Sequence, residues 1–467
     1  MIDKFNWLSA RNLAKAYGKR QISPVEGAKA CLAQMASHES AINAMALIDE
    51  KTSLAMARAS ERRWSKGKQR GPLDGVPLLI KDLLLVKGWP TLRGSRIVDR
   101  AGPWDQDAPA VARLREAGCV FTGLTTTPEF GWKGVTDSPR TGITRNPWNV
   151  TLTPGGSSGG SAAALAAGYG PLAIGTDGGG SIRIPAGFTG TFGLKPSFGR
   201  VPAWPLSPFG TVAHTGPMTR SVADAALMLN EMAKPDNRDW YSLPYVPADF
   251  SKINKSLKGL RVAFSPDLGY VDVSPEIAKL VKSAVGKLKQ LGAKVTVVDP
   301  GFADPAPIFR VLWWSAAGNM LGGLPAEKMA ALDPALADVV QQAKSITVQD
   351  IFEAAKARGQ LGIQMRLFME KFDVLVTPTL PIAAFKAGLL QPDDPDSDGK
   401  WVNWTPFTYP FNLTQQPAAS VPCGFTKSGL PVGLNVVGKM FDDAMVMKVC
   451  AAYEAATDFC LQRPKGF

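Results

Sequence analysis

Apolar positions change their period along the chain. Near the N-terminus, Leu8 to Ala16 and Pro24 to Met35 repeat at helical spacing, which predicts a helical lead-in over residues 1–70. From Gly75 onward the pattern shifts to short aliphatic runs, Val76 to Ile80 and Val120 to Leu124, alternating with helical stretches such as Ala108 to Ala117. That alternation predicts an α/β sheet. After a predicted helix over Ser221 to Ala233, residues 234–258 lose all period and gather Pro, Asp and Asn, the composition of an internal linker between two halves of one sheet.

Beyond the linker, Leu260 to Phe264 reads as a strand. Ser274, Pro275 and Glu276 then supply an N-cap, a first-turn proline and a first-turn carboxylate. The helix they open carries Ile277, Leu280, Val281, Ala284, Val285, Leu288 and Leu291 on one face and is closed by Gly292. Lys294 to Val298 is the next strand. A long helix over Val348 to Phe372 leads into the buried run Val374 to Val376, and Ala418 to Phe425 pairs as a hairpin with Leu430 to Val437 around Ser428 and Gly429. A helix closes the chain. The acidic, proline-rich stretch Gln391 to Lys400 reads as a solvent loop, with a lid as the alternative. The chain is expected to form one domain: lead-in 1–70, core 71–233, linker 234–258 and the second half of the sheet over 259–467.

Composition narrows the class. With 45% hydrophobic and 20% charged residues over 467 positions, the chain can bury a large core. Its greasiest segment, Gly75 to Val86, is broken by Lys81 and Asp82 and falls short of the roughly 20 residues that a membrane helix needs. No membrane span is expected, and Met1 to Tyr17 holds no signal-peptide core. Five scattered cysteines, Cys31, Cys119, Cys423, Cys450 and Cys460, read as reduced thiols of a cytoplasmic protein. The net charge of +12 is spread along the chain rather than gathered in runs, so nucleic acid is not an expected partner. Whether the chain forms a homodimer stays open.

Histidine is scarce: His38 and His214 are the only two. Neither has a cysteine or carboxylate at ligand spacing, so no metal site is expected. A Ser-His-Asp triad would have to draw its base from the same pair. His214 reads instead as a structural hydrogen-bonding residue.

The chemistry concentrates in Thr153 to Gly190, where serine and glycine dominate two loops. Consecutive glycines let backbone N–H groups converge on one point and attract an anion. The phosphate reading fails, because neither glycine cluster fits a P-loop or a dinucleotide fingerprint. The other anion is the oxyanion of a tetrahedral intermediate, which needs a nucleophile beside the donors. Ser181 follows Gly178, Gly179 and Gly180 directly. A serine hydroxyl requires a base. Lys81, at the end of the apolar run VPLLI, is the candidate, since burial disfavours its ammonium form. Asp82 should face away from it, because adjacent strand residues point to opposite faces.

These segments resemble the amidase signature family. The residues that carry the likeness are GGSSGGSAAA from Gly155, GTDGGGSIRIPA from Gly175 and GLKPSFGR from Gly193. They are supported by GPLDGVPLLIKD, TPEFGW, HTGPMTRSVADAALML, PAASVPCGF and GLPVGLNVVGK, so the similarity spans Gly71 to Lys439. The resemblance implies a large mixed, twisted sheet of about eleven strands covered by helices on both faces. It also implies an amide hydrolase without cofactor, acting on a small-molecule carboxamide. Ser181 takes the place of the nucleophile, Ser157 that of a bridging serine behind a cis peptide, and Lys81 that of the base. The N–H groups of Gly178, Gly179, Gly180 and Ser181 would hold the oxyanion. Asp177 and Arg183 match a supporting pair, and Ser158 adjoins the relay. Gly178 departs from the pattern, which favours threonine or a branched residue there.

For the substrate, Trp132, Trp313, Trp314, Trp401 and Trp404 are candidates to line an apolar or aryl-accepting pocket. Two rivals share the fold: the glutaminase-type component of a tRNA-dependent amidotransferase, and a non-catalytic binding protein. Relatives of the first kind carry a serine- and asparagine-rich stretch where this chain has LWWSAAGNMLGG.

Overall fold

The computed structural model describes residues 5–245, 247–393 and 400–467. Its strands are β1 (Met45–Ile48), β2 (Pro77–Lys81), β3 (Val120–Thr125), β4 (Asp137–Ser138), β5 (Gly142–Ile143), β6 (Leu172–Asp177) and β7 (Phe192–Lys195). They continue with β8 (His214–Thr219), β9 (Arg261–Phe264), β10 (Lys294–Val297), β11 (Val374–Pro378), β12 (Ala418–Phe425) and β13 (Pro431–Gly438). Eleven strands form one sheet in the order β1-β3-β2-β6-β8-β7-β12-β13-β11-β9-β10, while β4 and β5 pair separately. The sheet is mixed: β2 runs parallel to β3 and β6, and β9 parallel to β10 and β11, whereas β6, β7, β8, β12 and β13 meet their other neighbours antiparallel.

Alternation along the strands explains why both faces are covered. On β2, Leu78 and Ile80 enter one core while Leu79 enters another. On β11, Val374 and Val376 likewise face the first core and Leu375 a third. Side chains on successive strand residues point to opposite faces, so each face needs its own helical cover. Helices Val222–Met232, Pro275–Gln290 and Asp443–Ala455 fill the first core, and Ala306–Leu321 and Val348–Glu370 fill the third. The lead-in helix Pro24–Ile42 starts with a capping box, Ser23 and Glu26 each bonding the other's backbone N–H.

Ser274 occupies the N-cap position of Pro275–Gln290, but its side chain caps nothing. Its backbone N–H instead joins the carbonyl of Pro381. The long helix ends at Glu370, two residues before the expected Phe372. Of the acidic stretch read as loop or lid, positions 394–399 lie outside the described residues. Among the described residues no helix is long and apolar enough to cross a membrane.

Two features of the sheet place the site. β2 and β6 are parallel neighbours with Ile80 opposite Ile174, so Lys81 and Thr176–Asp177 emerge at the same end. Such carboxyl ends of parallel strands are where α/β proteins build their sites. β8 begins at His214, directly opposite Asp177.

Candidate active site

Lys81 is fully buried, 0% exposed. Its Nζ lies 2.7 Å from Ser157 Oγ, 2.9 Å from Ser158 Oγ and 2.9 Å from Thr176 Oγ1. Burial pushes its pKa well below the usual lysine value, and the charge of Asp177 acts the other way. Asp82 faces elsewhere, as alternation requires: its carboxylate accepts the N–H of Leu92 at 2.9 Å and of Gly94 at 3.1 Å.

The hydroxyls around Lys81 differ in their free valences. Ser158 donates to the carbonyl of Thr176 at 3.2 Å, so its oxygen is an acceptor toward Lys81. A neutral amine has two N–H groups and one lone pair. With Ser158 and Thr176 accepting the two N–H groups, the lone pair is left to the hydroxyl of Ser157. Thr176 was not legible as a site residue in the sequence; only the pairing of β6 with β2 brings it to the amine.

The peptide bond Gly156–Ser157 is cis. Only glycine fits at 156, because a Cβ there would stand 2.4 Å from the carbonyl oxygen of Val135. Ser181, 5% exposed, follows the glycine loop between β6 and helix Arg183–Thr189. Its carbonyl accepts the N–H of Ser158 at 3.0 Å, which ties the two serine segments together. Ser157 and Ser181 open into the same cavity. The Lys81–Ser157 hydrogen bond is formed, whereas no hydrogen bond joins the hydroxyls of Ser157 and Ser181. Catalytic hydrogen bonds are often long in free enzymes and tighten with substrate.

The glycine loop is oriented by Asp177. This carboxylate accepts the N–H of Gly180 at 2.7 Å and meets Arg183 through Nε at 2.9 Å and Nη2 at 3.0 Å. The N–H of Gly180, expected to donate to an oxyanion, is instead turned back to Asp177. Asn412 adds its Nδ2 to Asp177 Oδ1 at 2.8 Å, and Arg183 Nη2 donates to Asn412 Oδ1 at 2.7 Å. Burial alone would raise the pKa of Asp177, but the charge and hydrogen bonds of Arg183, with Lys195 and Asn412, hold it below the usual carboxylate range. Thr408 grips the loop from the other side, donating to the Gly179 carbonyl at 2.7 Å.

His214 Nδ1 lies 2.8 Å from the carbonyl of Val212 and 3.2 Å from that of Asp177. Two acceptors fix the hydrogen on Nδ1. Burial lowers its pKa, so the ring is neutral. Among the described residues no group of three His, Cys, Asp or Glu could hold a metal ion.

A cavity of about 330 Å³ opens over Ser181 and Ser157, walled by Leu83, Phe130, Trp204, Phe209, Trp313 and Met320. Of the tryptophans proposed as pocket residues, Trp313 lines it and the others pack behind. Trp132 is 1% exposed and accepts the Trp313 indole N–H on its carbonyl at 2.9 Å. Trp314 turns its indole N–H to Gln342 at 3.1 Å inside the helical core. Trp401 meets Trp313 edge-on, and Trp404 stacks on Phe188. Phe209 and Trp204 were missed because Ser207 and the surrounding prolines mark only a loop.

Comparison with known proteins agrees with this architecture. The amidase family model matches residues 26–447. An acylamidase of Rhodococcus erythropolis is 38% identical, over 98% of this chain and 97% of that protein. The A component of the glutamyl-tRNA(Gln) amidotransferase of Myxococcus xanthus is 35% identical, over 97% of this chain and 98% of its own length. The crystal structure of a bacterial aryl acylamidase of the amidase signature family superposes with a TM-score of 0.89 at 32% identity, covering 98% of this chain and 99% of that one. The chain belongs to the amidase signature family and is a hydrolase of carbon–nitrogen bonds in amides.

Proposed function

We propose that Ser181 is the acylated nucleophile, that Lys81 is the base acting through Ser157, and that the substrate is an apolar or aryl carboxamide. Ser181 Oγ attacks the amide carbonyl while its proton passes to Ser157 and that of Ser157 to the Lys81 lone pair. The N–H groups of Gly178, Gly179 and Ser181 take the oxyanion. On collapse the proton returns through Ser157 to the leaving nitrogen, and ammonia or an amine departs. Water then attacks the acyl ester by the same relay and releases the carboxylate. In this reading the enzyme works on small molecules in the cytoplasm, without nucleic acid.

The observation that carries the proposal is the fully buried Lys81 amine 2.7 Å from Ser157. The aromatic walls of the cavity and the likeness to an acylamidase and an aryl acylamidase support the substrate class. The 35% identity to the amidotransferase component favours glutamine as a second reading. The apolar walls speak against so polar a side chain.

A panel of aryl, alkyl and primary amides, with glutamine included, tests both. Anilides and apolar amides should be cleaved faster than glutamine, and Ser181→Ala should lower turnover by at least about 1,000-fold. Faster cleavage of glutamine would favour the second reading, and full activity in Ser181→Ala would remove the nucleophile assignment.

A further inference from the structure

Arg93 stands out among the residues around the cavity. It is a half-buried guanidinium that lines the same space as Ser181 and Ser157, beside Phe130. Its backbone has φ of 57°, in the left-handed region that an arginine rarely adopts. Three hydrogen bonds hold it there. The amides on either side of it, Leu92 and Gly94, both donate to Asp82, and its own carbonyl accepts the N–H of Phe130 at 2.8 Å. Uncommon backbone conformations that neighbours over-determine cluster at ligand clamps.

The charge of Arg93 is not spent within the protein. Among the described residues no carboxylate lies within ion-pair distance of its guanidinium, and Asp82, whose charge acts on it, has both oxygens on backbone amides. The one acid that the described residues place on the cavity wall, Asp239, is likewise taken up by the N–H groups of Ala203 and Tyr241, each at 2.9 Å. His214 is neutral. Among the described residues Arg93 is thus the one cation on the cavity wall, and the one acid there is already satisfied by backbone amides. A partly desolvated guanidinium without a partner is costly, and its planar fork fits a carboxylate.

We infer that Arg93 is a specificity-determining residue that binds a carboxylate carried by the amide substrate away from the scissile bond. This deepens the proposal above and rests on it: the body of the substrate is apolar, and one end is anionic. The pinned backbone makes the site ready-formed, so little ordering is lost on binding.

Matched pairs of amides test the inference. Pentanoyl and glutaryl 4-nitroanilide differ only in a terminal methyl against a carboxylate on the acyl side, and the butyramides of 4-toluidine and 4-aminobenzoate differ likewise on the amine side. The wild type should show a higher kcat/KM for the anionic member of at least one pair. In Arg93→Met the anionic-to-neutral ratio should drop on the order of 10- to 100-fold, through KM, and Arg93→Lys should keep part of it. An unchanged ratio in Arg93→Met, or no anionic preference in the wild type on either pair, overturns the inference while leaving Ser181 as nucleophile. A wild type that cleaves no member of either pair overturns the reading of the site on which the inference rests.

Discussion

The ring of Trp313 fills the space that a side chain on residue 178 would need: a Cβ on Gly178 would stand 2.8 Å from ring atoms Cη2 and Cζ3. Where the signature pattern favours a threonine or branched residue, this chain has glycine, and an indole from a helix far along the sequence occupies the space. The indole cannot easily retreat, since it donates to the Trp132 carbonyl at 2.9 Å and stacks on Phe209 at 3.8 Å. In the proposed mechanism Gly178 is also one of the three oxyanion donors. Gly178→Thr should therefore displace the loop and lower kcat by roughly 100-fold or more, the loss typical of one oxyanion donor. Gly178→Thr with Trp313→Ala should recover much of that loss, as coupled neighbours do in a double-mutant cycle. Additive losses in kcat would show that the two residues do not share the space.

The hydroxyls of Ser158 and Thr176 are expected to act through Lys81. By accepting its two N–H groups they leave the lone pair to Ser157, so Thr176→Val should lower kcat on the order of 10- to 100-fold with KM little changed. The pH profile separates this from simple packing damage. A hydroxyl bonds an ammonium more strongly than an amine, so its loss should lower the pKa of Lys81 further. The acidic limb of kcat/KM should move to lower pH in Thr176→Val, and a move to higher pH would contradict the assignment.

How much of the site is readable from residue order depends on where each signal lies in the chain. Ser181 and Lys81 sit in local patterns, a glycine-serine loop and a charge closing an aliphatic run, and could be proposed from residue order, whereas Ser157 is marked only by the resemblance of its loop to the amidase signature. Thr176 and Asn412 carry no such local mark; they reach the site through the β2–β6 pairing and through a segment 235 residues beyond Asp177. The direction of the Gly180 N–H was equally hidden, because a glycine run permits many dihedral angles and only the position of Asp177 selects one. The tryptophans show the same limit. A buried indole and a pocket-lining indole are identical in sequence, and Trp132 proved to be the support for Trp313. Strands β6, β7 and β8 escaped the periodicity argument because they are buried on both faces and hold Gly, Pro and Thr in place of an alternating pattern.

Arg183 and Asp177 form a fully buried ion pair. Breaking such a pair from one side leaves an uncompensated charge and costs about 3–5 kcal/mol. Arg183→Met should be destabilised by that order at neutral pH. In the wild type the pKa of Asp177 is depressed, so its contribution is complete above the unfolded carboxylate value and is lost only as pH falls through the lower folded value. In the variant the carboxyl protonates more readily, and the stability gap should narrow toward acid pH. Urea unfolding at several pH values measures this, and Asp177→Asn added to Arg183→Met should regain part of the loss.

Glu39 works with the opposite sign. Burial pushes its pKa up from 4.5 to about 7, against the hydrogen bond it accepts from the N–H of Met45 at 2.7 Å. Between pH 4.5 and 7 the folded state therefore holds a proton that the unfolded chain has released, so the contribution of this residue to stability falls as pH rises. Replacing it by glutamine removes the titration and keeps an acceptor for Met45. The Tm of Glu39→Gln relative to the wild type should rise between pH 5 and pH 8.5, by about 1 °C for each kcal/mol that the shift is worth in a chain of this length. Thermal unfolding of both proteins across that range measures the difference directly, with the titrations of Asp82, His214 and Glu454 common to the two and cancelling. A difference in Tm that stays flat across the range would mean that Glu39 ionises in the fold as it does in water.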